Sequence, residues 1–344
     1  MTGRELVERA IKFQHVDRVP AAVLDGYAWI AKHSGMSFDD MFNMEPERAA
    51  DFIAEKYEQF GSDMIYANAQ ASGAVREVMG GKMDFSVKGA NPVVKKSSLG
   101  EIGDIKNFTV REVYEKAINH RLFKSLAGQL EALNKKCGGE KLILAFGTGP
   151  LTTAAGMVGM EKLMMGLYED PEGIRRLADF SVELTKMLFD YQIVHGATAV
   201  SIADPVSSVN LISQEFFEQY TMPGLREICA EERRHGAPIM LHICGDATTR
   251  LEPLKSIDID MFSVDRVDMA QALETARGHY AVFGNLDTVE YMLSGSQEMV
   301  MERSKELCKL AGHEGGFILA PGCDLPPDTP LENIRAMTLS SANA

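Results

Sequence analysis

Two hydrophobic rhythms alternate along this chain. Stretches with an apolar residue at every third or fourth position, the spacing of one helix face, give way to short apolar runs that stop at glycine, proline, aspartate or asparagine, the pattern of buried strands. Eight such runs are predicted as strands: Arg18 to Leu24, Met64 to Asn68, Leu142 to Gly147, Thr198 to Asp204, Ala237 to Cys244, Asp260 to Asp265, Tyr280 to Asn285 and Gly316 to Pro321. Most are continuously apolar, as expected of parallel strands covered on both faces.

The helical stretches carry their own end signals. Thr2 opens an amphipathic helix to about Phe13, with Glu5 placed three residues on as a capping box requires. Ser37 to Phe60 holds two helical segments divided at Asn43 to Pro46, and Gly61 stops the second. Val110 to Cys137, Pro171 to His195, Ser213 to His235, Met269 to Arg277 and Gln297 to Ala311 are further helices, and Thr329-Pro-Leu starts the last. From Gly73 to about Thr109 the rhythm breaks into glycines, single β-branched residues and lysines. That predicts an inserted hairpin or long loop, because the segment lacks the apolar content for its own core.

Strands alternating with helices in this way predict an α/β fold, a single (β/α)8 TIM barrel domain over residues 1–344, with an N-terminal helix and the insertion at about 73–109 after the second strand. An open doubly wound sheet is the alternative. It would want Gly-x-Gly-x-x-Gly after the first strand, and Leu24-Asp-Gly-Tyr-Ala-Trp29 does not supply it.

Composition excludes several partners. A net charge of -14 argues against nucleic acid or an anionic membrane surface, since both select a basic face. The longest uncharged stretch, Leu142 to Met160, is interrupted by glycines and Pro150, so it is expected to be strand plus glycine-rich loop and not a membrane span. Five cysteines without tight spacing do not resemble a disulfide framework, and the N-terminus has charges where a secretory signal needs its apolar core. Both point to a reducing, cytoplasmic setting.

In such barrels the reactive groups sit at the carboxyl ends of the strands. His242 and Cys244 end the fifth strand, spaced two apart so that both leave one face, and Cys323 follows the eighth. One imidazole and two thiolates form a soft set that suits Zn2+ and leaves a fourth position open, as catalytic zinc is held. Two thiolates already cancel the metal's charge, so the site is better suited to preparing a sulfur nucleophile than to polarising a carbonyl. The bland reading is that the cysteines are small buried hydrophobes and His242 a hydrogen-bonded core residue. Asp204, Asp265 and Asn285 end other strands, and Asn68 ends the second. Asp204 precedes Pro205 and is either a turn aspartate or a mouth residue, as proton acceptor or partner of His242; Asn285 is expected to fix a turn. Phe146-Gly-Thr-Gly-Pro150 lacks the Lys-Ser or Lys-Thr of a phosphate loop and is read as close backbone approach. His195 and His235 close helices, where a cation favours the dipole.

Phe146-Gly-Thr-Gly-Pro-Leu-Thr152, His242-Ile-Cys-Gly245, Phe283-Gly-Asn-Leu-Asp287 and Ala320-Pro-Gly-Cys-Asp324 resemble, in order and spacing, the uroporphyrinogen decarboxylase superfamily. The likeness runs over nearly the whole chain and is nearest the corrinoid-dependent branch, the methylcobamide:coenzyme M methyltransferases. It implies His242, Cys244 and Cys323 as zinc ligands, and transfer of a methyl group from a methyl-Co(III) corrinoid to a thiol such as coenzyme M or to another acceptor such as a folate. No Asp-x-His-x-x-Gly motif for holding a corrinoid is present, so the resemblance implies that a separate corrinoid protein brings the methyl donor. The decarboxylases' own features are missing: Pro20 to Ile30 has no arginine, their essential aspartate falls at Asn68 to Gln70, their tyrosine near Gly156, and their late histidine at Cys323. Porphyrinogen decarboxylation remains the alternative activity, and a non-catalytic zinc- or corrinoid-binding barrel the alternative class.

Overall fold

The computed structural model describes residues 1–25 and 27–342; the expected domain span also includes residues 26, 343 and 344, which lie outside the described residues. Nine strands follow one another as β1 (Met64–Tyr66), β2 (Lys82–Asp84), β3 (Val93–Lys96), β4 (Leu142–Thr148), β5 (Ala199–Ala203), β6 (Ile239–Asp246), β7 (Met261–Arg266), β8 (Ala281–Leu286) and β9 (Phe317–Pro321). Seven of them form a curled parallel sheet in the order β1-β4-β5-β6-β7-β8-β9, with helices in the connections. The order follows the sequence, so each helix returns the chain to the next position along the sheet. Leu241, Phe262, Val282, Phe283 and Ile318 are fully buried, as expected of strands covered on both sides. The carboxyl ends of the strands are called the mouth below, and the amino ends the foot.

The stretch expected as the first strand departs from a regular strand. Only Ala21 forms a bridge, to Leu319 on β9, with Ala22 N donating to Leu319 O and Leu319 N to Pro20 O. On its other side side chains replace the ladder. Ala21 N donates to the Asp63 carboxylate and Val23 N to Ser62 Oγ, while Asp63 N donates to Ala21 O. Pro20 has no N–H to offer. Arg18 clamps the same Asp63 through both carboxylate oxygens, at 2.7 and 2.6 Å. Residues 20–24 are thus bonded to β9 on one side and to Ser62 and Asp63, just before β1, on the other, without being a ladder strand.

Other boundaries fall close to expectation. The first helix is Gly3–Ile11 with Thr2 as N-cap and a complete Thr2–Glu5 capping box, and Pro46–Phe60 ends at Gly61 in the left-handed conformation. The stretch 110–137 is two helices, Val110–Asn119 and Arg121–Cys137, broken at His120, which caps the second. In the segment 73–109, Gly73–Val78 is helical and β2 pairs antiparallel with β3. The glycine-rich loop expected after β4 is instead a helix, Pro150–Val158, because Pro150 occupies its first turn, where the missing N–H costs nothing. A side chain at Gly156 in that helix would run into the Arg76 guanidinium. The glycine therefore marks close packing.

Candidate metal centre

β6 explains why two donors converge. His242 and Cys244 are two apart on one strand and leave the same face. The pairing of β6 with β7 is irregular between Ile243 and Asp246, and Gly245 there has φ 72°, the left-handed region that glycine enters without strain. The turned backbone offers Gly245 N to Asp265 Oδ2 at 2.8 Å. Cys323, two residues past β9, completes the group: Cys244 Sγ lies 2.9 Å from His242 Nε2 and 3.3 Å from Cys323 Sγ, and Cys323 Sγ lies 3.6 Å from His242 Nε2. All five cysteines are unpaired thiols.

The imidazole is aimed by its other nitrogen. Nδ1 lies 2.9 Å from Ser263 Oγ, and Ser263 is the direct neighbour of His242 in the β6–β7 register. A serine hydroxyl that accepts from Nδ1–H leaves the Nε2 lone pair facing the sulfurs. The two thiols share one hydrogen bond. It holds Cys323 well below the usual thiol range, helped by His242, and together with burial it holds Cys244 well above that range. His242 sits above its ordinary value: burial pulls it down, but the bond to Cys323 and the charges of Cys323, Asp324 and Asp265 outweigh that.

This donor set fits a soft divalent ion. Around tetrahedral zinc, sulfurs lie roughly 3.8 Å apart and sulfur and nitrogen roughly 3.5 Å apart, from bond lengths of about 2.3 and 2.0 Å. The spacings found here are within about 0.6 Å of those. Three ligand atoms from two different strand ends meet within reach of a single ion.

Asp204 is fully buried, not open to the mouth. Its carboxylate accepts from Thr152 Oγ1 at 2.5 Å, Thr152 N and Ser207 Oγ, joining the ends of β4 and β5. Ser263 takes the place beside His242 that the sequence reading offered to Asp204. A side chain at Gly149 would collide with this carboxyl group, so the Gly-Thr-Gly stretch does mark close approach. Asp265 is held by Gly245 N, and burial raises its pKa. Asn285 Nδ2 donates to the carbonyls of Asp265 and Val267, tying β8 to the end of β7, while its Oδ1 is buried without a partner. Asn68 is buried; its Oδ1 accepts from Gln70 N, and its Nδ2 has no partner among the described residues.

Two acidic residues near this group escaped the sequence reading. Asp25 is fully buried and accepts from Trp29 N and Ile30 N; burial, then the charge of Asp324, pushes its carboxyl up to about 7. Asp324, beside Cys323, also acts on His242 and Cys244. Ser263 shares a strand face with Asp265, but only the lateral register of β7 against β6 sets it beside His242. Asp25 had no such signal, since its carboxylate matters only through tertiary burial.

A family model described as uroporphyrinogen decarboxylase (URO-D) matches residues 2–342. The chain is 31% identical over 209 residues to a methylated-thiol--coenzyme M methyltransferase of Methanosarcina mazei, a match spanning 61% of this chain and about half, 55%, of that relative. It is 25% identical over 345 residues to a methylcobamide:CoM methyltransferase of Methanosarcina acetivorans, covering 99% of this chain and 98% of the relative. Relatives named uroporphyrinogen decarboxylase also match. Among solved structures, a methyltransferase from Methanosarcina mazei shares the fold with a TM-score of 0.86 over 100% of this chain and 99% of that one, at 20% identity.

Proposed function

The chain belongs to the uroporphyrinogen decarboxylase family, and within that family we propose that it is a methyltransferase, moving a methyl group from a methyl-Co(III) corrinoid to a thiol. The observation that carries this reading is the convergence of His242 Nε2, Cys244 Sγ and Cys323 Sγ. His242, Cys244 and Cys323 hold Zn2+ in this reading. Bound there, the ion lets an incoming thiol lose its proton at neutral pH while its sulfur stays electron-rich.

The chain's own residues do the rest. Ser263 fixes the tautomer and plane of His242. Asp265 holds the turn at Gly245, so Cys244 is presented on a braced backbone. In this reading Asn68 and Asn285 line the mouth, each with a buried polar atom, Nδ2 and Oδ1, that has no partner among the described residues. In the transfer the thiolate sulfur forms a bond to the methyl carbon, the carbon–cobalt bond breaks, and its electron pair stays on cobalt as Co(I). In this reading the curled sheet is a (β/α)8 barrel completed by residues 20–24, in one domain, with a separate corrinoid protein docking over its mouth. The chemistry needs reduced thiols and so a reducing compartment.

The test is spectral. The protein is mixed with methylcobalamin and a set of thiols, coenzyme M among them, without oxygen, and Co(I) formation is followed. Conversion with at least one thiol is expected. No conversion with any thiol or with tetrahydrofolate, at full zinc, would overturn the methyltransferase and leave the non-catalytic barrel; carbon dioxide released from uroporphyrinogen would favour the decarboxylase.

A further inference from the structure

A second group of donors lies at the foot of the sheet. Asp190 is near the end of the helix Pro171–Val194, Glu232 ends the helix Met222–Glu232, and His235 ends the short turn that follows it. The two helices pack against each other. Glu232 and His235 are three apart, the spacing that places side chains on one helical face. One ligand atom from each of Asp190, Glu232 and His235 lies within 4.8 Å of the others, and Asp190 Oδ1 is 2.7 Å from His235 Nε2.

Glu232 sets this group apart from an ordinary surface ion pair. Its side chain is 0% exposed, and neither carboxylate oxygen has a hydrogen-bond partner among the described residues. A buried carboxylate without a partner carries a large desolvation penalty. Its position worsens the balance, because the carbonyl ends of both helices are negative and Asp190 is beside it. Burial and the charges of Asp190 and Glu231 accordingly push its carboxyl up to about 8. The neighbouring cations are committed elsewhere: Arg233 to Asp258 and Asp260, Arg234 to Glu231, and Lys186 to Glu183 and Glu227.

We propose that Asp190, Glu232 and His235 form a second, structural metal site for a divalent first-row cation, separate from the thiol-rich centre at the mouth. Two carboxylates and a neutral imidazole cancel a charge of two and give the buried oxygens of Glu232 a partner. The set is harder than the His–Cys–Cys group, so Mn2+ or Zn2+ is accepted while soft-metal selectivity is lost. His235 is exposed and gives the ion its path of entry. The ion joins two neighbouring helices at the amino ends of β5 and β6, the face of such barrels that serves stability and not turnover.

Mn2+ is the probe, added to the full chain after chelation and followed by its electron paramagnetic resonance and by thermal unfolding. A single Mn2+ site per chain is expected, with a raised melting temperature, and the same site is expected in Cys323→Ala, which leaves the foot intact. Glu232→Gln should weaken Mn2+ at least about tenfold, a scale already reached by losing a group that only supports a ligand. His235→Gln, at the surface and unable to disturb the core, should do the same. Equal Mn2+ binding in wild type, Glu232→Gln and His235→Gln, or no binding and no thermal shift in wild type, overturns the proposal and leaves Glu232 a protonated buried acid. The result is independent of activity at the mouth.

Discussion

The mouth and the foot of the sheet each gather three ligand-type side chains, yet they differ in what holds them and in what they leave unfinished. At the mouth, His242 and Cys244 ride on β6, Cys323 follows β9, and Ser263 and Asp265 on the neighbouring β7 brace them. At the foot, the donors sit at the ends of two helices, and among the described residues Glu232 has no hydrogen-bond partner. A group in which two of three ligands, His242 and Cys244, are fixed by further residues is preorganised for chemistry. At the foot only Asp190 and His235 are bonded to each other, and a proposed ion would draw Glu232 to them as a clamp. Donor type points the same way, since thiolates suit a soft ion that activates sulfur and carboxylates suit a harder one that holds charge.

The largest expected effect comes from breaking the mouth while sparing the foot. Cys323→Ala should remove most of the bound zinc and lower Co(I) formation by more than about a hundredfold, beyond the range seen for outer groups. Metal analysis and the methylcobalamin assay measure both. Unchanged zinc in this variant and in Cys244→Ser would mean that the ligands are elsewhere. Next comes the bracing itself: Ser263→Ala leaves every donor atom in place and should still cost about 10 to 100-fold in zinc affinity or rate. Competition with a chelator reads the affinity. An unaltered affinity and rate would make the imidazole self-orienting and remove the contrast with the foot.

How much of this was legible in the sequence follows the same contrast. His242, Cys244 and Cys323 could be found because strand ends are marked by where an apolar run stops, and a period of two tells which residues share a face. Ser263 needed the lateral register of β7 against β6, which no single run contains. The foot was less legible still: the pattern around His235 predicts a helix-closing cation, whereas its bonding partner, Asp190, comes from another helix and the burial of Glu232 beside it is tertiary. The pattern of Pro150–Val158 predicts a loop because Gly156 and the two threonines are weak helix formers, and packing against Arg76 overrides them. The first strand was overdrawn because Ser62 and Asp63 side chains stand in for a backbone ladder, a substitution that leaves the apolar pattern untouched.

Two buried carboxylates sharpen the comparison further. Asp25 lies within the electrostatic reach of Asp324, beside Cys323, and is capped by two backbone amides, with Tyr27 and Tyr57 also packed in its field. Its carboxyl titrates at about 7 in the folded chain and at about 4 unfolded. Between these values the folded state holds one proton more, so stability should fall as pH rises through that window, by about 1 kcal/mol per pH unit, and level off above it. Asp25→Asn keeps an acceptor for Trp29 N and Ile30 N and should flatten the slope. Denaturant unfolding from about pH 5 to about pH 7, with metal present throughout, measures it. A slope identical to wild type would place the proton elsewhere.

The smallest effect is expected at the foot without its ion. His235 and Asp190 then form a partly exposed pair, with side-chain exposures of 32% and 42%. Such pairs are screened by water and contribute less than about 1 kcal/mol. In chelator-treated protein, His235→Gln should therefore shift the melting temperature by no more than about 4 °C, from the usual scaling for chains of this size or smaller. With Mn2+ restored the same substitution should cost clearly more, since it then removes a ligand. A large loss in the chelated protein would show that the pair itself joins the helices, and that the foot is finished by side chains of the chain alone.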